Sequence, residues 1–490
     1  MPESLPDYYA ALGLPRDASA EEIKRAYHEA AHRFHPDKNK LPGETEIFLE
    51  VQQAYEVLYN PRRRAQYDAT LPRQDEPSPA VLHEVFFSRP NLVRLNEPQM
   101  IYLLLEVSPR VATSEIPSPP LNVCLVLDCS TSMQGEKLDL LKSAASQLLG
   151  TLRDEDILSV VAFSDKAEVI IPASFQRDRK QSQARIQMIH TSGATEMYQG
   201  LKAGFQEVRR GFDPGRVNHI VLLTDGHTYG DEDACLQLAQ EASSYNIGIS
   251  GLGIGTEWND VFLDRLASRT GGSSGYIAKP QDIQPILSEK FKALATIFAS
   301  DVVLDLAPAE GIDLSYVFRI QPEGAPIPPE ESMSLGPILQ NMPLGVLFEF
   351  VVHPSALEGD SVTLLNGSLS VSVASRPRPV PPIRLRLARE VEPSPTDDLP
   401  PTRILRALSR LTLYRLQEKA SFEAEAGRFD HATRALRNLA ANLLAEGEQG
   451  LAHTALLEAE NLERRQVWSA EGGKEIKYGT RSLLLPGMRE

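Results

Sequence analysis

Five apolar runs between Leu121 and Ala299, LNVCLVLD, ILSVVAF, AEVIIP, HIVLLTD and IGISGLGI, alternate with helix-patterned stretches near 137–149, 179–190, 199–209, 232–245 and 261–268. A strand that is apolar at nearly every position needs cover on both faces, because otherwise one side meets water. Strands alternating with helices build a mostly parallel sheet with helices packed on both sides. The pattern predicts an α/β doubly wound, Rossmann-like domain over residues 119–299.

The segments on either side of it read differently. Val81–Val107 contains MIYLLLEV, and in Asp301–Arg389 the residues Leu369, Val371 and Val373 alternate with serines. Period-two alternation marks half-buried antiparallel strands. The two pieces are expected to form one β-sandwich, with the α/β domain inserted between them. A proline-rich linker, VEPSPTDDLPP, then leads into helical residues Thr402–Arg465, where a Gly-Arg-Phe-Asp turn separates two alanine-rich amphipathic runs. That is a helical hairpin.

At the other end, Ile23, Tyr27, Ala30 and Phe34 repeat at helical spacing, and so do Phe48, Val51, Tyr55 and Leu58. Two facing stripes predict a small antiparallel helical hairpin. Ser19 with Glu22 forms a capping box before the first helix, and Pro36 stops it. The expected organisation is 1–70 hairpin, 71–80 linker, 81–118 β segment, 119–299 α/β domain, 300–390 remaining sandwich, 391–401 linker, 402–466 helices and 467–490 an unassigned tail. At roughly 150 residues per domain, the 490 residues also call for about three domains.

Charge and cysteines narrow the function classes. Sixty-six acidic against 50 basic residues leave a net charge of −16. Such a field repels phosphate, so neither nucleic acid nor an anionic membrane surface is an expected partner. The N-terminus lacks a basic start and an apolar core, and no run approaches the roughly 18 apolar residues of a membrane span. Cys124, Cys129 and Cys235 are odd in number and match neither a disulfide framework nor a zinc ribbon. A reducing, cytoplasmic setting is expected.

Two constellations carry chemistry. The first is His35-Pro36-Asp37, where proline gives the helix a sharp exit and presents histidine and aspartate rigidly beyond it. Lys24, Arg25, His32 and Arg33 lie on the same helix. Together with DYYAALGL, EEIKRAYHEAAHRFHPDKN and AYEVLYNPRRRAQYD, in that order over about 65 residues, this segment resembles the J-domain of DnaJ-type co-chaperones. The resemblance implies that His35, Pro36 and Asp37 touch a DnaK-type chaperone and trigger its ATP hydrolysis. The basic residues Lys24, Arg25 and Arg33 would face that chaperone's acidic surface. His28 and Glu29 stand where the family usually has a basic pair. His28-Glu29-Ala30-Ala31-His32 also spells the zinc-protease pattern HExxH, but its extended form needs glycine at 35 and histidine at 38, where His35 and Lys38 stand.

The second constellation follows the α/β strands. Asp128-Cys129-Ser130-Thr131-Ser132 comes directly after LNVCLVLD, Gly193-Ala194-Thr195 precedes a helix, and Thr224-Asp225-Gly226 ends another strand. Ligands of open α/β sheets bind at such strand ends. Three converging loops would supply hydroxyls and carboxylates alone, a hard-oxygen set that suits Mg²⁺ or Mn²⁺ and not zinc. Serine, threonine and aspartate also cap helices and turns, which is the plain alternative for any one loop. The pattern resembles the von Willebrand factor A domain with its metal-ion-dependent adhesion site. By that resemblance, Ser130, Ser132 and Thr195 would be direct or near-direct ligands. Asp128 and Asp225 would hold waters and supply charge, and a partner's Asp or Glu carboxylate would complete the shell. Gly251-Leu252-Gly253-Ile254-Gly255 lacks the third glycine of a dinucleotide loop and reads as a strand end.

The combined expectation is a non-enzymatic co-chaperone or adaptor. A scaffold with an inactive J-like hairpin is the alternative, and a metal-dependent hydrolase the remote one.

Overall fold

The computed structural model describes residues 8–12, 23–27, 30–31, 44–60, 63–64, 67, 80–110, 118–175, 178–228, 230–307, 309–373, 380–396 and 398–483. The chain divides into two compact units, Met1–Ser78 and Pro79–Glu490.

In the first unit, α1 (Tyr8–Ala11) and α2 (Glu44–Leu58) accompany helical residues 23–27. Leu12, Ile23, Val51, Ala54, Leu58 and Tyr67 form its core, with Tyr27, Ala30 and Tyr55 packed against it. Of the expected stripes, Ile23, Tyr27, Ala30, Val51, Tyr55 and Leu58 are here, and Phe34 lies outside the described residues. The Tyr27 and Tyr55 rings stack with centroids 4.1 Å apart and planes 15° from parallel.

Among the described residues, the second unit contains three sheets. The central one is built from β4 (Leu121–Asp128), β5 (Ile157–Phe163), β6 (Ala167–Phe175), β7 (Val217–Thr224), β8 (Gly248–Ile254) and β9 (Ser274–Ile277). Their spatial order is β6-β5-β4-β7-β8-β9. All neighbours pair in parallel except β5 with the edge strand β6. β4, β5 and β7 are buried at every residue, as their uninterrupted apolar runs demand. On one face lie α3 (Glu136–Thr151), α4 (Arg179–Gln187) and α8 (Ile283–Ala295), joined in a core through Leu141, Leu148, Ile186 and Leu287. On the other lie α5 (Met197–Arg210), α6 (Glu232–Ser244) and α7 (Asp260–Ser268), through Leu201, Ala239 and Leu263. Gly251 and Gly253 belong to β8, and a Cβ at Gly253 would enter the Trp258 ring. The glycines serve close packing inside a strand.

The two β-rich flanks form one sandwich. Its first sheet runs β1-β3-β14-β11-β12 and its second β13-β10-β15-β16-β2. β1 (Val81–Phe87), β2 (Leu92–Val93) and β3 (Gln99–Pro109) come from before the α/β domain. β10 (Ile297–Ala307), β11 (Ile312–Gln321), β12 (Ala325–Ile327), β13 (Ser332–Leu339), β14 (Leu344–Val352), β15 (Ser361–Ser372) and β16 (Ile383–Glu392) come from after it. The long-range register is continuous: Leu103 faces Phe348 and Leu105 faces Val346. Ile101, Leu103 and Leu105 point into the sandwich core with Leu304 and Leu369. Leu104 points outward, with Phe318 and Leu347, under Ile404, Leu411 and Tyr414 of α9 (Thr402–Glu425). Both faces of β3 are therefore covered, which explains the unbroken apolar run in MIYLLLEV.

Three more helices follow: α10 (Phe429–Ala445), α11 (Gln449–Arg465) and α12 (Ala470–Ser482). The expected tail therefore contains a docked helix, α12, and residues 484–490 lie outside the described residues. Arg481 makes ion-pair hydrogen bonds to Asp264 on α7 and donates to Tyr414 of α9 at 2.9 Å. Lys474 donates to the carbonyls of Thr256 and Trp258 at 2.6 Å each. Arg319 of β11 stitches sandwich to α/β domain through the carbonyls of Gly271 and Gly272. Among the described residues no helix is long and apolar enough to cross a membrane.

Candidate metal site and J-domain surface

The sheet order fixes where a site can form. From β4 the chain moves outward to β5 and β6, then returns to β7 on the opposite side of β4 before moving to β8 and β9. The crevice between the carboxyl ends of β4 and β7 is the switch point, where departing connections leave room for a ligand. Asp128 is the last residue of β4, and Asp225 directly follows β7.

Hydrogen bonds draw the loops together. The backbone amide of Ser130 donates to Asp128 Oδ1 at 2.8 Å, and Thr224 Oγ1 donates to Asp128 Oδ2 at 2.6 Å. Ser130 Oγ and Ser132 Oγ lie 3.0 Å apart. Ser132 Oγ donates to Asp225 Oδ1 at 2.6 Å, and Lys137 Nζ donates to Asp225 Oδ2 at 2.5 Å. The third loop is anchored from both sides. The Thr131 amide donates to the Gly193 carbonyl at 3.3 Å, and the Ser192 amide to the Cys129 carbonyl at 2.9 Å. Gly193 sits at φ +64°, a left-handed conformation that favours glycine, with the Asp165 side chain packed against it. Thr195 is buried beside Gly226, where a Cβ would stand 3.1 Å from its Oγ1. That hydroxyl makes no hydrogen bond among the described residues.

All five oxygen-bearing residues therefore gather at one crevice: Asp128, Ser130, Ser132, Thr195 and Asp225. Burial pushes the Asp128 carboxyl above the usual carboxylate range, the hydrogen bonds from Ser130 and Thr224 pull it down, and the Asp225 charge pushes it up again. Two buried carboxylates with hydroxyl neighbours attract positive charge, and a lysine ammonium already serves Asp225. The donor set, oxygen only and carrying two carboxylates, fits Mg²⁺ or Mn²⁺. Cys129 is buried against the Phe163 carbonyl at 3.1 Å, and burial pushes its thiol up to about 11, which suits packing and not reactivity.

Lys137 was absent from the sequence-derived set, because its partner lies 88 residues away. One clue was present: it occupies the first turn of α3, where the helix dipole disfavours a cation. Asp231 was also missed. It accepts from the Tyr198 amide at 2.7 Å and from the Thr228 hydroxyl, fixing the start of α5 to the loop after β7. In the first unit, Lys24 and Arg25 are exposed. Arg33, His35, Pro36 and Asp37 lie outside the described residues, as do His28 and His32.

Comparison with known proteins bears on each part. Residues 7–68 match the DnaJ domain, residues 122–289 the von Willebrand factor type A domain, and residues 402–486 the Sll0103-like C-terminal alpha-helical domain. The chain carries a J-domain and a von Willebrand factor type A domain.

An uncharacterized protein, sll0103 of Synechocystis, is 36% identical over 208 residues, 42% of this chain and 49% of that protein. The chaperone protein DnaJ of Methanosarcina thermophila is 55% identical over 62 residues, 13% of this chain and 16% of that one. The chain thus spans half or less of the length of these relatives. A von Willebrand factor type A structure from Catenulispora acidiphila superposes with a TM-score of 0.65 at 17% identity, covering 84% of this chain and 98% of that one. The ArnB paralog VWA2 of Sulfolobus acidocaldarius gives 0.50 at 17% identity over 83% of this chain and all of that one. Both likenesses concern the fold.

Proposed function

We propose that the protein is a non-enzymatic, DnaJ-like co-chaperone or adaptor. Its A domain holds a protein partner through Mg²⁺ or Mn²⁺, and its J-domain brings a DnaK-type chaperone to that partner. The observation that carries this reading is the convergence of Asp128, Ser130, Ser132, Thr195 and Asp225 at the switch point of an A domain in a chain that also has a J-domain. The bound metal would supply a Lewis-acidic position for an outside carboxylate. This chain's part is to orient the oxygens: Thr224 and the Ser130 amide hold Asp128, and Ser132 and Lys137 hold Asp225. His35, Pro36 and Asp37, together with Lys24, Arg25 and Arg33, would contact the chaperone. Tethering two binding modules in one chain raises the effective concentration of one partner near the other.

The test is DnaK-type ATPase turnover with the full chain added. Wild type should accelerate hydrolysis, and His35→Gln should abolish the acceleration while leaving metal binding unchanged. Full stimulation by His35→Gln, or none by wild type, would remove the co-chaperone half.

A further inference from the structure

Lys137 is the second residue of α3 and leans into the crevice from the rim. Its side chain keeps 33% of its exposure, whereas that of Asp225 keeps none. Its ammonium takes Asp225 Oδ2 at 2.5 Å and lies 3.4 Å from the Ser132 carbonyl oxygen. The other oxygen, Oδ1, carries the Ser132 hydroxyl at 2.6 Å. The two edges of the carboxylate are thus divided, one toward a fixed cation and one toward the hydroxyl pair of Ser130 and Ser132. The neighbouring acid, Glu136, accepts instead from Gln281 Nε2 at 2.6 Å. A lysine in the first turn of a helix opposes the helix dipole, so its placement there rests on Asp225.

We propose that Lys137 is a built-in counter-cation that sets the charge of the metal site: it weakens metal binding and makes the loaded site a stronger acceptor of a partner's carboxylate. The proposal rests on the metal reading above. Two carboxylates and one ammonium leave the crevice with a net charge of one negative, and a divalent ion turns it net positive by one. Without the ammonium the empty crevice would hold two negative charges, and the loaded one would be neutral. One substitution therefore moves two affinities in opposite directions, which loss of packing would not do.

The probes are Mn²⁺ and acetate, titrated into the full chain at pH 7.5, with free Mn²⁺ followed by electron paramagnetic resonance. Lys137→Met keeps the aliphatic stem and should bind Mn²⁺ about tenfold more tightly, ~1.4 kcal/mol, given partial exposure and screening by salt. Lys137→Arg keeps the charge and should match wild type. Acetate should tighten Mn²⁺ binding in wild type more than in Lys137→Met, because mutual enhancement of two ligands is reciprocal. Equal or weaker Mn²⁺ binding by Lys137→Met, or an undiminished acetate effect, overturns the lysine proposal and leaves the metal reading standing. Binding by Lys137→Met alone, with wild type silent, supports it. Silence of every variant overturns both.

Discussion

His219 lies on β7 below the crevice, buried, with its Nε2 2.9 Å from Ser250 Oγ. Burial drives its pKa down from 6.5 to about 3; the Lys290 charge adds to this and Glu323 opposes it. The folded protein keeps the ring neutral, while the unfolded chain takes up a proton below about pH 6.5. Stability is therefore lost as the pH falls from 6.5 toward 3, at up to about 1.4 kcal/mol per pH unit. Replacing His219 with Gln should flatten this part of the dependence of the melting temperature on pH. A slope unchanged by the substitution would place the acid sensitivity elsewhere. Residue-level chemistry was unevenly legible in the sequence. Asp128, Ser130 and Ser132 stand together in the chain, so their shared loop was plain. Lys137 acts on Asp225, 88 residues away, and Asp231 reaches the Tyr198 amide 33 residues away, contacts that only folding makes.

Among the elements, the buried strands were the most legible, because β4, β5 and β7 are apolar at nearly every position and covered on both faces. The edge strand β6, expected as another apolar run, is buried only at Ile171 and pairs antiparallel. α12 was opaque. Its sequence, AEGGKEIKYGTRS, has two adjacent glycines, and its buried face holds Lys474, Lys477 and Arg481 beside Ile476. Such a helix has little apolar periodicity, and what holds it is charge. Lys477 and Arg481 surround Asp264 and, with Ser274, overcome the burial that would raise its pKa, holding the carboxyl well below the usual range. A carboxylate depressed in the folded state stabilises above its ordinary pKa and ceases to do so in acid. Asp264→Asn leaves the buried Arg481 without its carboxylate, while Lys477 keeps Asp260, and should lower stability by about 3–5 kcal/mol. Calorimetry should show the melting transition of the second unit shifted down, and the shift should shrink as the pH is lowered toward 3. An unshifted transition would mean that the cations find water or other partners.

For the molecule as a whole, the inserted arrangement makes the A domain an offshoot of a sandwich that both flanks build. β3 and β14 pair residue for residue across the insertion, and Arg319 ties the sandwich to the loop after α7. The alternation of serines with Leu369, Val371 and Val373 announced strands, whereas the register that joins the distant flanks is set only where β3 meets β14. The central claim is that one chain joins a metal-dependent grip to a chaperone-recruiting module. The most direct test is to recover the tagged full chain from its host lysate with Mg²⁺, with EDTA, and as Asp225→Ala with Mg²⁺. The account predicts one protein captured only with Mg²⁺ and intact Asp225, and a DnaK-type chaperone in the same complex that is lost with His35→Gln. Identical capture in all three samples would contradict it.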